Sequence, residues 1–167
     1  MALLIATIIL SPATTFSQTR GRTTTRPSTR VTKTKALDIQ REGATRVADQ
    51  IKTLTRFLYL LGGVAKGIES VDDAVRRKEA SPAVLEQAKR NKATVKTSIQ
   101  SLRESLDALE INFRTTPELQ RYYIKLAGVA SGAVTAEEQA TANQFDQAGR
   151  SLLAVVTRLT DVLLEMR

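Results

Sequence analysis

The chain of 167 residues predicts an all-α fold, an antiparallel up-down-up bundle of three long coiled-coil-like helices. Three observations carry that expectation. From Val47 to Met166 apolar residues recur at alternating intervals of three and four, the period of a helical seam and not of a strand. Only four prolines and eight glycines occur, too few for the many tight turns of an all-β chain. Aromatics are 4 % of residues and tryptophan is absent, so a core must be assembled from Leu, Ile, Val and Ala, which suits the packing of helix on helix.

The chain opens on a compact apolar run, Ala2 to Leu10, followed by Ser11-Pro12 and a stretch of small polar residues. The length fits the hydrophobic region of a secretory signal, and Thr15 and Ser17 stand where a signal peptidase reads small residues. Residues 1–17 are therefore expected to be a signal peptide, with a mature start at Gln18 and a periplasmic or extracellular destination. The basic residue that ordinarily precedes such a run is missing. A membrane anchor is disfavoured, because about 20 apolar residues are needed to span a bilayer.

Residues 18–35 are a low-complexity Thr/Arg/Lys segment with six basic residues and no acid. With almost no apolar surface to bury, nothing offsets the entropy of ordering it. It is expected to be a disordered basic linker. The remaining residues, 36–167, hold 25 − 6 = 19 basic and all 17 acidic residues, so of the net charge of +8 only +2 belongs to the body. A charge concentrated on the linker offers an anionic surface as a partner through 18–35. Nucleic acid is unfavoured, since no aromatic is interleaved for base stacking.

Within 36–167 the first helix is expected over 36–80, its seam running through Val47, Ile51, Leu54, Leu58, Leu61, Ala65, Ile68 and Val75. Ser81-Pro82, a capping residue before a proline in the first turn, opens the second helix at 82. Its seam runs from Leu85 to Phe113, and it ends at 114 before Thr116-Pro117-Glu118, which repeats the capping design. The third helix is expected over 117–166, with a phase slip between Ala140 and Phe145. Gly62-Gly63 and Ser131-Gly132 could interrupt helices one and three, but the seams continue through both, so continuity is favoured.

Short connections make neighbouring helices antiparallel and fix which residues share a level. Lys92 and Asp72 occupy seam positions where apolar residues are expected, and the level map brings Glu138 to the same height; together they form a candidate polar core layer. Gly62, Gly63, Ser98, Gly132 and Ala133 also share a level, expected as a waist of closely approaching backbones, with a groove as the alternative. Phe57, Tyr59, Phe113, Tyr122 and Tyr123 are expected to gather toward the Thr116 end and close the core.

A straight third helix would project past the Ser81 turn, leaving Leu152, Val155, Leu159, Val162 and Met166 as a candidate association face. Self-association or a protein partner would cover it. The alternative is a break near 131–135 that folds the chain back into a four-helix bundle.

Cysteine and histidine are both absent. Thiol chemistry, imidazole general-base catalysis and Cys/His metal sites are therefore excluded, and no metal or cofactor is expected. Carboxylate-bearing helical bundles that hold metal pairs need histidine beside glutamate. An enzyme is the disfavoured class. The favoured one is an exported, non-enzymatic interaction or scaffold module tethered by its basic leader.

Overall fold

The computed structural model describes residues 29–167. The expected signal peptide, and the linker up to residue 28, lie outside them. Five helices follow in order: α1 (Thr29–Arg76), α2 (Pro82–Thr115), α3 (Gln120–Leu126), α4 (Val129–Thr141) and α5 (Phe145–Glu165). The described residues contain no strand. α1 starts inside the segment expected to be linker, so residues 29–35 belong to a helix.

The helices pack as four legs of a bundle. α1 lies against α2 and α5, α4 lies against α2 and α5, and α3 continues the α4 leg along the same two neighbours. Apart from Val75, Leu85 and Ala88 at the α1–α2 end, the seams read from the sequence form one continuous core. Val47, Leu54, Ile99, Leu106, Phe113, Leu126, Leu152 and Leu159 are fully buried, and no charged or polar residue is buried among those described. At roughly 25 cal/mol per Å2 of apolar surface, each large side chain so buried stabilises the fold by about 2 kcal/mol before conformational entropy is counted.

The third helix is not a single rod. It is interrupted twice, and neither interruption is at 131–135. The first is at Ala127-Gly128, where Gly128 adopts φ +89°, a left-handed conformation that costs a glycine almost nothing. Neighbouring legs satisfy the polar groups this break exposes. The Glu110 carboxylate of α2 accepts a hydrogen bond from the Ala130 N–H at 2.9 Å, placing a negative charge at the α4 N-terminus where the helix dipole favours it. Arg158 of α5 donates to the Ala127 carbonyl at 3.1 Å.

The second interruption, at Ala142–Gln144, reverses the chain. Asn143 takes φ +60°, Gln144 N–H donates to the Gln139 carbonyl at 2.8 Å and Asn143 N–H to that of Ala140 at 3.0 Å. This is a helix C-terminus closed by a left-handed residue, with asparagine in the place glycine most often takes. It coincides with the phase slip between Ala140 and Phe145. α1 ends in the same way at Lys78, φ +59°, with Glu79 N–H donating to the Ala74 carbonyl. The Ser81 hydroxyl then accepts the Val84 N–H to start α2.

The reversal corrects the expected projection. α5 returns along α1 and α4, and Leu152, Val155, Leu159, Val162 and Met166 are all buried inside their own chain. They present no face to a partner. The overhang is on the other side. Lys96 of α2 reaches the Thr141 carbonyl at the end of α4, and α1 near Ile68–Asp72 lies beside Asn143–Gln147. The last turn of α1 and the first turns of α2 thus continue past the α4–α5 reversal, leaving Val75 and Val84 each 43 % exposed.

Small residues draw α4 close to its neighbours. Ala133, Ala136 and Ala140 are fully buried along it, as is Ala148 on α5, and a Cβ at Gly132 would stand 2.7 Å from Cγ2 of Val155. Gly62, by contrast, has nothing within 4 Å of the place a Cβ would take. Replacing a mid-helix glycine by alanine gains about 1 kcal/mol of helix propensity at either site. Gly62→Ala should therefore raise the stability measured by urea unfolding, whereas Gly132→Ala should lower it, the same gain being outweighed by displacement of Val155 or the α4 backbone.

Candidate functional site

Apolar seams fill the interior of the bundle, with alanines along α4 and the Arg103–Glu137 pair between α2 and α4. The α1–α2 face differs. A stripe of short hydroxylic residues on α2, Thr94, Thr97, Ser98, Ser101 and Ser105, stands opposite Gln50, Thr53 and Phe57 of α1, and the space between them is an open groove of about 700 Å3. The stripe follows helical spacing, so these side chains share one side of α2. Of the described stripe residues only Ser105 reaches α1: its hydroxyl, 2.8 Å from the Leu102 carbonyl, lies 3.2 Å from Gln50 Oε1.

Toward the overhang α1 borders the groove with further apolar surface. Leu60 is 64 % exposed, while Phe57 and Val64 are half-buried against the core. Gly63 and Gly67 are open, with nothing within 4 Å of a would-be Cβ. The expected waist therefore divides in two. Gly132 and Ala133 pack closely between legs, whereas Gly62 and Gly63 lie on the outer side of α1 and Ser98 lines the groove.

The candidate polar layer is half assembled. Lys92 Nζ sits 3.0 Å from both carboxylate oxygens of Asp72, so the level map holds between α1 and α2. The pair lies at the edge of the bundle, the Lys92 side chain 24 % and that of Asp72 50 % exposed. Glu138 does not join it: it is exposed. The acid that crosses from α4 to α2 is its neighbour Glu137, 2.6 Å from Arg103 Nε, with Asp107 on the other side of the same guanidinium at 3.2 Å. The break at Gly128 resets the rotation of α4, which moves the inward acid by one position.

The expected aromatic cluster also separates. Phe113 and Tyr122 close the core near the α2–α3 turn, with Arg121 stacked on the Tyr122 ring at 4.5 Å. Tyr59 is 85 % exposed and Phe57 faces the groove. A groove at the level of Ser98 was the alternative to the waist, and Ser98 does line one; the rest of its wall went unread because it is defined by absence of bulk. The run of Ser and Thr at helical spacing on α2, from Thr94 to Ser105, was the available signal.

Electrostatically the described surface is a set of solvated pairs. The Glu86 carboxyl is held below the usual range by the hydrogen bond from Lys89, then by the charges of Lys89 and Arg90. Among the described residues no group of three acidic, His or Cys side chains is placed to hold a metal ion, and no described helix is long and apolar enough to cross a membrane.

No protein-family model, curated protein or solved structure matches this chain. The residues alone carry its reading.

Because Lys92 and Asp72 are both solvated, their pairing contributes at most about 1 kcal/mol. Lys92→Leu should leave the urea midpoint within that margin of the parent. A loss of about 3 kcal/mol or more would instead mark a desolvated layer on which the register depends.

Proposed function

We propose that this protein is an exported, non-enzymatic helical interaction or scaffold module whose working surface is the α1–α2 groove, with the basic leader as its tether. One observation carries the reading: Phe57 lines the groove, and Leu60, one helical turn further along α1, stands 64 % exposed. Large apolar side chains exposed singly are ordinary, but contiguous ones rimming a concavity mark sites that meet a partner. The residues that line the groove are hydroxylic or apolar, and neither a nucleophile with an adjacent base nor a converging carboxylate pair is among them, so its chemistry suits contact rather than turnover.

Leu164 on α5 provides a matched control, 56 % exposed but away from the groove. A photocrosslinking side chain introduced at position 60 and expressed in the source organism should give a discrete covalent adduct. The same group at position 164 should give none. Equal labelling from both positions, or none from position 60, would contradict the assignment.

A further inference from the structure

We infer that the α1–α2 groove receives an amphipathic partner helix whose contact face is small and apolar and whose two ends carry acidic side chains. This rests on the reading of the groove as the working surface and adds the chemistry of its occupant.

The shape comes from α1. Phe57, Leu60, Val64, Gly67, Val71 and Ala74 repeat at intervals of three and four, a second seam turned roughly 100° about the helix axis from the core seam. A seam of this period is complementary to another helix. It runs about 26 Å, the length of some 17 helical residues, and no charge interrupts it. Leu60 and Gly67 are exposed and the others half-buried. The open position at Gly67 and short hydroxyls on the facing α2 wall let a second backbone approach closely.

The charge comes from the ends. Arg56 borders the seam at one end and Lys78 the other. Among the described residues neither has an ion pair. The acids of the overhang are already matched: Asp72 with Lys92, Asp73 with Arg76, Glu79 with Arg77 and Glu86 with Lys89. Glu104, beside Ser105, lies outside the groove lining and is 4.0 Å from Arg103. The seam therefore has unmatched positive charge at both ends.

That excess selects the occupant. A second copy laid antiparallel would set Arg56 against Lys78, and laid parallel would set each against itself, like charges in both cases. A flat anionic bilayer would meet Leu60 but not Phe57 within the groove. A helix with acids at its ends satisfies both the shape and the charge.

The test uses the full chain and two fluorescent synthetic helices of 18 residues, with one Ala/Leu contact face and either Glu or Lys at both ends, read by anisotropy. Phosphatidylglycerol vesicles form a third arm. The Glu-ended peptide should bind about tenfold more tightly than the Lys-ended one, as two solvated charge contacts allow. Leu60→Asp, with unchanged circular dichroism and melting, should abolish binding, and Arg56→Glu with Lys78→Glu should reverse the preference. Equal binding of the two peptides would overturn the acidic-end inference while leaving the groove as an interaction surface. Binding of neither peptide to a folded chain would overturn both. Vesicle binding that Leu60→Asp removes, with no peptide bound, would overturn the helix in favour of a lipid surface.

Discussion

The return of α5 across α1 and α4 is the interaction on which the rest of the structure depends. Without it, the inner sides of α1 and α4 would face water, and the seam from Leu152 to Met166 would lie uncovered. With it, each leg has two neighbours and every large seam residue of α5 is buried. The return is possible because α4 is narrow. Ala133, Ala136 and Ala140 leave its flank almost smooth, Gly132 admits Val155, and the Ser151 hydroxyl ties α5 back to Gln139 at 2.8 Å. Close packing of this kind resists a change of even one methyl group.

Closing the bundle through α5 decides where it remains open. The alanine seam and the Arg103–Glu137 pair seal α2 to α4, and Gln40, donating to the Met166 carbonyl at 3.1 Å, fastens the end of α5 to the start of α1. α1 and α2 meet through a wall of Ser and Thr, and it is there that apolar side chains of α1 stay within reach of solvent. A domain of this size buries enough apolar surface to tolerate one loosely filled face. The cost of leaving Leu60 exposed is modest beside the fully buried seams, which is compatible with a surface kept for contact.

Much of the fold was legible from the spacing of apolar residues. The seams through Val47–Ile68, Val95–Phe113 and Phe145–Met166 are the observed core, and the capping pair Ser81-Pro82 starts α2 where expected. The path of the third helix was less legible. Asn143 and Gly128 act through left-handed backbone conformations, and a seam pattern reports burial without reporting such turns. Continuity was expected through both Gly62-Gly63 and Ser131-Gly132, and both lie inside unbroken helices; the alternative break near 131–135 is not where the chain turns, and Gly132 serves close approach within α4. The phase slip before Phe145 was the true mark of the reversal, since a seam that changes phase has changed the face it packs against. Of the candidate site, the Lys92–Asp72 pair followed from register alone. Glu138 did not, because its placement required knowing how far Gly128 rotates α4. The groove itself arises from side chains too short to fill a space, and period alone carries no measure of that.

The return of α5 can be read directly from one distance. The chain has no cysteine, so Leu37→Cys and Leu164→Cys, both at exposed positions, can carry a unique pair of spin labels for double electron–electron resonance. Folding back places the two near the Gln40–Met166 hydrogen bond, at the same end of the bundle, and a single short separation is expected. A continuous third helix would carry position 164 away from that end by roughly 70 Å at 1.5 Å per residue. A distribution centred at such a length in the monomer would contradict the four-leg bundle and everything built on it.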